Sequence, residues 1–149
     1  MSKAKVLFLC TGNSVRSQMG EALLRRHGGE YFEVYSAGLE PSRVNSLTLA
    51  VLQEKGIDTS ALYSKGLLTF VGKVSFDYLI TVCAEADQNC PIFPGVSVRL
   101  HWPFEDPAKF EGNADEKLAK FREVRGQMEA RILTWLAELT LKNNAPTPA

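Results

Sequence analysis

Segments typical of buried strands alternate with segments typical of helices along most of this chain. Four short, largely apolar runs predict strands, at residues 5–10, 31–38, 76–83 and 96–102. Helical spacing of apolar residues, followed by glycine, predicts helices at residues 15–29 and 45–56. Parallel strands need a crossover connection, which is usually a helix. The alternation therefore predicts an α/β fold in which helices cover both faces of a parallel sheet.

The last predicted helix is the longest and spans residues 113–139. Asn113 and Glu116 have the spacing of a capping box at its start. Apolar residues at helical spacing predict a stripe that faces the core, formed by Leu118, Phe121, Val124, Met128, Ile132, Trp135 and Leu139. With 149 residues, of which 45% are hydrophobic, the chain has the size of one ordinary domain. We expect a single domain at residues 1–140 and a flexible C-terminal tail at residues 141–149.

The predicted topology brings three parts of the chain to one edge of the sheet. Cys10 ends the first strand, Cys83 ends the third, and residues 103–108 follow the fourth. The carboxyl ends of parallel strands lie at the same edge, and open α/β sheets bind their ligands there. We therefore expect the functional site at this edge.

The loop after Cys10 has the features of an oxyanion site. Such a loop, leading directly into a helix, can turn its backbone N–H groups toward an anion. Gly12 and Asn13 tolerate the positive φ that this curl requires. Arg16 can hold two anion oxygens through its planar guanidinium. The predicted oxyanion-binding residues are Thr11, Gly12, Asn13, Ser14, Val15 and Arg16.

The same surroundings favour a reactive Cys10. A helix N-terminus and an arginine stabilise the thiolate, which is the nucleophilic form of cysteine. Ser17 can donate a hydrogen bond to the sulfur. A cysteine and an arginine six residues apart also occur by chance, so the spacing alone does not establish a site.

Charge and hydropathy exclude several classes of function. Lys and Arg number 17, and Asp and Glu number 17, so no overall positive charge draws the chain to nucleic acid or to an anionic membrane. No stretch approaches the roughly 20 apolar residues of a membrane span, and the N-terminus lacks the features of a secretory signal. We expect a cytoplasmic protein that binds neither nucleic acid nor membrane.

The chain has three cysteines, which is an odd number. The cytoplasm keeps thiols reduced, so nucleophilic or redox roles are favoured over structural disulfides, although inert core cysteines fit the same count. No Cys-x2-Cys pair occurs, and His27 lies in a predicted helix without a paired ligand. We therefore expect no metal site.

The sequence CTGNSVRSQM, at residues 10–19, resembles the phosphate loop of the low-molecular-weight protein tyrosine phosphatase superfamily, in particular its arsenate reductase branch. The similarity continues in the family's order through residues 35–38, 81–91 and 101–108. The resemblance implies a four-stranded parallel sheet of the low-molecular-weight phosphatase type. It also implies one of two activities, which are the reduction of arsenate and the hydrolysis of phosphotyrosine through a cysteinyl-phosphate.

The family uses the aspartate of an Asp-Pro dipeptide as general acid, which implies this role for Asp106. Alone, the dipeptide would indicate only a turn. The phosphatase branch usually has tyrosines just after this proline, whereas Ala108, Lys109 and Phe110 follow here. This difference weakens the case for an aryl phosphate as substrate. It is compatible with a small inorganic anion such as arsenate or phosphate as substrate.

The reductase chemistry of the family implies roles for all three cysteines. Cys10 attacks arsenate, Cys83 attacks the sulfur of Cys10, and Cys90 attacks Cys83. A thioredoxin-like or glutaredoxin-like protein then reduces the disulfide, and no metal or organic cofactor is needed. If residues 83–90 were helical, the Cα atoms of Cys83 and Cys90 would lie about 10.5 Å apart. A disulfide requires a Cα–Cα distance of roughly 4.4–6.8 Å. We therefore expect the polar segment 84–89 to form a loop or to unwind.

Lys65 departs from the family pattern. Many reductases of this branch bind potassium beside the loop, with residues that match Asn13, Glu21 and Ser36 and with an acidic residue near position 65. A lysine at this position could pair with Glu21 in place of the ion, or it could point into solvent, as most lysines do.

Three functions are compatible with these residues. An arsenate reductase accounts for Cys83 and Cys90. A low-molecular-weight phosphatase would use only the loop and the acid. A non-catalytic oxyanion or redox sensor would have no need of Asp106 as an acid.

Overall fold

The computed structural model describes residues 3–90 and 95–144, and a parallel sheet lies at its centre. The strands are β1 (Ala4–Cys10), β2 (Phe32–Gly38), β3 (Tyr78–Thr81) and β4 (Val98–His101). Their order is β2-β1-β3-β4, and each neighbouring pair is parallel. The predicted four-stranded parallel sheet is confirmed. Strand β3 is shorter than predicted because its pairing with β1 ends at Thr81, opposite Leu9.

Four α-helices accompany the sheet: α1 (Arg16–Gly28), α2 (Ser46–Gln53), α3 (Ala84–Asn89) and α4 (Ala114–Asn144). The capping box of α4 is present, since Glu116 N donates to Asn113 Oδ1 at 2.9 Å and Asn113 N donates to Glu116 Oε1 at 3.2 Å. Helix α4 continues to Asn144, past the boundary predicted at residue 140. The rest of the predicted tail, residues 145–149, lies outside the described residues.

Helix α3 forms over residues 84–89, the segment that the sequence analysis expects to form a loop or to unwind. Cys83 Sγ accepts a hydrogen bond from Ala86 N at 3.3 Å and so caps the first turn. The side chain of Asp87 accepts another from Thr81 Oγ1 at 3.1 Å. A helix held by polar contacts of this kind does not need apolar residues at helical spacing. The hydrophobic periodicity of the sequence therefore did not predict it.

Both faces of the sheet are covered, as predicted. On one face, Phe32 stacks on Trp135 of α4 with ring centroids 5.3 Å apart. On the other, Tyr35 packs edge-on against Phe76 at 5.4 Å, because side chains alternate along a strand. The predicted stripe of α4 faces the core: Phe121, Val124, Met128, Ile132 and Trp135 are buried, and Leu118 and Leu139 are partly buried.

Candidate active site

The loop between β1 and α1 is held by its carbonyl groups. Four consecutive carbonyls accept hydrogen bonds from outside the loop: Thr11 O from Glu40 N at 2.8 Å, Gly12 O from Ser42 N at 3.0 Å, Asn13 O from Gln18 Nε2 at 3.1 Å and Ser14 O from Asn45 N at 3.1 Å. The N–H of Asn13 points the other way and donates to Cys10 Sγ at 3.2 Å. Because the carbonyl groups point out of the loop, its N–H groups are left to point inward. An oxyanion site requires N–H groups in this orientation.

Asn13 determines the shape of this loop. Its φ is +50°, in the left-handed region that asparagine tolerates better than most residues. The side chain is fully buried and uses all of its polar atoms. Nδ2 donates to Ser17 Oγ at 2.8 Å and to Ser36 Oγ at 3.0 Å, while Oδ1 accepts from Lys65 N at 2.9 Å and from Gln18 Nε2 at 3.0 Å.

The Cys10 thiol lies inside the loop and is 3% exposed. The Ser17 hydroxyl lies 2.8 Å from Cys10 Sγ, and the N–H of Asn13 donates to the same sulfur. Two hydrogen-bond donors stabilise negative charge on the sulfur. The arrangement suits a nucleophile that attacks an anion held by the loop.

Arg16 and Asp106 lie side by side at the edge of this site. Arg16 Nη1 donates to Phe104 O at 3.0 Å, and its Nη2 is 3.7 Å from Asp106 Oδ2. The other carboxylate oxygen of Asp106 accepts from Ala108 N at 3.0 Å and caps the short 3-10 turn at Pro107–Lys109. The turn orients the carboxylate, and Oδ2 remains on the side of the guanidinium.

Cys83 belongs to the same site, whereas Cys90 lies at the opposite end of α3. Cys83 is 4% exposed, and its Sγ is 3.6 Å from the hydroxyl of Thr11, the residue next to Cys10. Cys90 is half-buried, and burial raises the pKa of its thiol while Arg99 partly lowers it. All three cysteines are present as thiols. The sheet therefore brings two of the three predicted thiols to one loop.

Lys65 points into a buried polar cluster beneath the loop. Its side chain is 8% exposed, and Nζ donates to Tyr63 O at 3.0 Å, to Ser36 Oγ at 3.3 Å and to Glu21 Oε1 at 3.4 Å. Glu21, 5% exposed, also pairs with Arg25 at 3.1 Å. Burial lowers the pKa of the Lys65 ammonium, and the Glu21 carboxylate opposes this shift. A positive charge is thus held within the cluster.

Two residues that support the loop were missed by the sequence analysis. Gln18 is buried and binds Tyr63 O at 2.9 Å in addition to Asn13. Its spacing of four residues from the apolar Ala22 places it on the buried face of α1, and this signal could have identified it. Gly38 lets β2 approach the loop, since a Cβ there would lie 2.6 Å from Thr11 O.

Within residues 3–90 and 95–144, no three His, Cys, Asp or Glu side chains come together in a group that could hold a metal ion. His27 instead binds Glu129, with 2.8 Å between Nε2 and Oε2. No helix in the described part of the chain is long and apolar enough to cross a membrane.

The fold and the loop identify the family. Residues 5–145 match the low molecular weight phosphotyrosine protein phosphatase family. The chain belongs to this family. It is similar to an arsenate reductase of Bacillus licheniformis, with 42% identity over 136 residues that cover 89% of this chain and 94% of the relative.

Solved structures give the same result. An arsenate reductase in the phosphate binding state superposes with a TM-score of 0.72 and 32% identity, covering 91% of this chain and 98% of the other. A thioredoxin-dependent arsenate reductase of Corynebacterium glutamicum superposes with a TM-score of 0.69 and 28% identity, covering 94% of this chain and 63% of the other. These similarities confirm the low-molecular-weight phosphatase fold and the resemblance to its reductase branch.

Proposed function

We propose that this chain is an arsenate reductase that works by a relay through Cys10, Cys83 and Cys90. The observation that carries the proposal is the contact of the Cys83 sulfur with Thr11, on the loop that holds Cys10. Hydrolysis of a phosphate ester needs a nucleophile, an anion-binding arginine and an acid, and it has no use for a second thiol at the loop. Two-electron reduction does need one.

The first step joins arsenate to Cys10. The oxyanion binds to the N–H groups of residues 11–16 and to the guanidinium of Arg16, and the thiolate attacks the arsenic atom. An S–As bond forms and an As–O bond breaks. Asp106 supplies the proton with which the departing oxygen leaves as water. Arsenic remains As(V) in this step.

The second and third steps move electrons and then the disulfide. The Cys83 thiolate attacks Cys10 Sγ, so that an S–S bond forms, the S–As bond breaks and its electron pair stays on arsenic, which leaves as As(III) arsenite. Cys90 then attacks Cys83 Sγ, and Cys10 departs as a thiolate. The two electrons taken by arsenic come from the thiols, and the resulting Cys83–Cys90 disulfide is reduced by an external dithiol protein.

The reductant proposed here is a thioredoxin-like or glutaredoxin-like protein. The Corynebacterium glutamicum relative is thioredoxin-dependent, which favours the first of these. We propose that the chain acts in the cytoplasm, where such reductants keep thiols reduced. One catalytic domain, predicted at residues 1–140, would hold all the relay residues.

The test is arsenate-dependent oxidation of NADPH in the presence of thioredoxin and thioredoxin reductase, with glutathione and glutaredoxin assayed in parallel. We expect sustained turnover by the wild type and background rates for Cys10→Ser, Cys83→Ser and Cys90→Ser. Ala84→Ser is the matched control, because residue 84 is exposed and carries no thiol. Sustained turnover by Cys83→Ser would rule out the relay.

Phosphotyrosine phosphatase activity is the second candidate, and the pairing of Arg16 with Asp106 beside the loop favours it. Hydrolysis of p-nitrophenyl phosphate measures it. We expect this hydrolysis to be weak in the wild type, absent in Cys10→Ser and unaffected in Cys83→Ser. Strong hydrolysis without any arsenate turnover would make the chain a phosphatase.

A further inference from the structure

Helix α3, which connects Cys83 to Cys90, is held in place mainly by polar contacts. Ala86 is the buried residue of this six-residue helix, and its methyl group offers little apolar surface. A helix this short has little stability of its own in water. Contacts with the sheet must therefore supply much of the restraint.

Those contacts converge on Asp87, halfway along the helix. Its Oδ1 accepts from Thr81 Oγ1 at 3.1 Å and from Arg99 Nη2 at 3.2 Å, and Arg99 also donates to the Asp87 carbonyl. The Nδ1 of His101 lies 2.8 Å from Thr81 Oγ1 and 3.9 Å from Asp87 Oδ1. Thr81, Asp87, Arg99 and His101 form what we call the Asp87 cluster, which joins α3 to β3 and β4.

The thiol state of Cys83 provides a second restraint. Its sulfur caps α3 by accepting from Ala86 N at 3.3 Å, and it lies 3.6 Å from Thr11 Oγ1. A sulfur that turns toward Cys10 to form a disulfide gives up this cap. The first redox step therefore removes the cap and leaves the Asp87 cluster to restrain the helix.

We propose that the Asp87 cluster is a latch that keeps α3 helical in the dithiol form and thereby sets how readily the Cys83–Cys90 disulfide forms. The inference rests on the proposed relay. Cα atoms seven residues apart in a helix are separated by about 10.5 Å, whereas a disulfide requires roughly 4.4–6.8 Å. The helix must unwind before Cys90 reaches Cys83, and unwinding carries Asp87 away from its partners on the sheet.

The latch acts on the exchange step without changing its chemistry. The Cys90 thiolate attacks Cys83 Sγ, the Cys83–Cys90 bond forms, the Cys10–Cys83 bond breaks, and Cys10 leaves as a thiolate. Contacts that exist only with α3 folded stabilise the dithiol form relative to the disulfide. Loss of the latch therefore favours the disulfide and makes its reduction potential more negative. Asp87 is a positioning residue, since it acts through the restraint of α3 and takes no part in the bond exchange itself.

The experiment measures the Cys83–Cys90 equilibrium in isolation from arsenate. In a Cys10→Ser background, the protein is equilibrated in graded buffers of reduced and oxidised glutathione, and the disulfide is quantified by thiol alkylation and mass spectrometry. Adding Asp87→Asn or Asp87→Ala is expected to raise the disulfide formation constant, by about fivefold for alanine, which corresponds to ~20 mV for a two-electron couple. Asparagine, which can still accept from Thr81, is expected to have the smaller effect.

Two further measurements separate a latch from a general loss of stability. Glu54→Gln breaks the ion pairs of Glu54 with Arg122 and Arg125, far along the chain from α3, and should lower Tm without changing the disulfide constant. In the reduced protein, amide hydrogen exchange of residues 84–89 should be faster in Asp87→Ala than in Glu54→Gln. Arg99→Gln, which removes one of the partners of Asp87, should act in the same direction as Asp87→Asn.

The outcomes are distinct. If the disulfide forms equally well with Asp87 present and in the Asp87→Ala variant, and residues 84–89 exchange at equal rates in both, there is no latch and the relay is unaffected. If no Cys83–Cys90 disulfide forms in any glutathione buffer, the proposed relay itself is wrong, and the latch fails with it. A higher disulfide constant together with faster exchange confined to α3 supports the latch.

Discussion

Replacing Lys65 with methionine tests whether its buried ammonium supports the Cys10 loop. The two side chains of the Lys65–Glu21 pair are 8% and 5% exposed, and their charged atoms are 3.4 Å apart. Methionine keeps most of the side-chain length and removes the charge, so Glu21 loses one of its two cationic partners. Removing one member of a buried ion pair costs about 3–5 kcal/mol.

The expected cost here is smaller, because Arg25 still pairs with Glu21 at 3.1 Å. We expect a loss of about 2–3 kcal/mol, which for a chain of this length lowers Tm by about 5–10 °C. Calorimetry or a circular dichroism melt measures it. The double variant Lys65→Met with Glu21→Gln removes both charges and should lose less than the sum of the single variants. A change in Tm below about 2 °C for Lys65→Met would refute the claim that the buried Lys65–Glu21 ion pair stabilises the fold.

The same pair predicts how the protein responds to monovalent cations. An ammonium already supplies a unit positive charge beneath the loop, so arsenate kinetics and Tm of the wild type should be nearly the same in potassium and sodium buffers of equal ionic strength. Lys65→Asp replaces that charge with a carboxylate and should create a dependence on potassium. If potassium alone markedly stabilised the wild type, the Lys65 ammonium would not be taking the place of a bound cation beneath the loop.

Three further predictions concern the relay and the stability of the fold. Arg16→Lys should lower kcat/KM for arsenate by about 10²–10³-fold, because an ammonium cannot reproduce the planar fork; wild-type kinetics in this variant would exclude Arg16 from anion binding. Cys90→Ser should complete one turnover and accumulate a Cys10–Cys83 disulfide, which peptide mapping detects, and its absence would exclude Cys90 as the third thiol. Hydrogen bonds from two arginines lower the pKa of Glu54 to about 2 from 4.5, so its contribution to stability is present above pH 4.5 and is lost as the pH falls toward 2. Glu54→Gln should therefore lower Tm at pH 6 and not at pH 2, and an equal loss at both pH values would contradict this assignment.

Local residue types determined much of what the sequence predicted correctly. An apolar run ending in Cys10, residues that tolerate positive φ and a following helix are all neighbours in the chain, so the loop is a local structure that periodicity and turn chemistry reveal. The parallel sheet follows from the alternation of strands and helices, because connections between parallel strands have few solutions. Asn13, with its φ of +50°, is a local feature of the same kind.

Helix α3 shows where such reasoning fails. Residues 84–89 lack apolar periodicity, and their helix depends on the cap by Cys83 and on the contacts of Asp87 with Thr81 and Arg99. The partner Arg99 is twelve residues away from Asp87 and lies on strand β4. A pattern within one segment carries no information about a partner that only the assembled sheet brings near.

The sequence by itself determined the fold class, the loop after Cys10 and, through resemblance, the candidate roles of the three thiols and of Asp106. Only the tertiary structure decided that Asp106 lies 3.7 Å from Arg16, that Lys65 turns inward to Glu21 and that Cys83 touches Thr11. These pairs are separated by 90, 44 and 72 residues along the chain. Side-chain direction at such separations depends on packing and on the cost of burying an unpaired charge, and both are properties of the folded molecule.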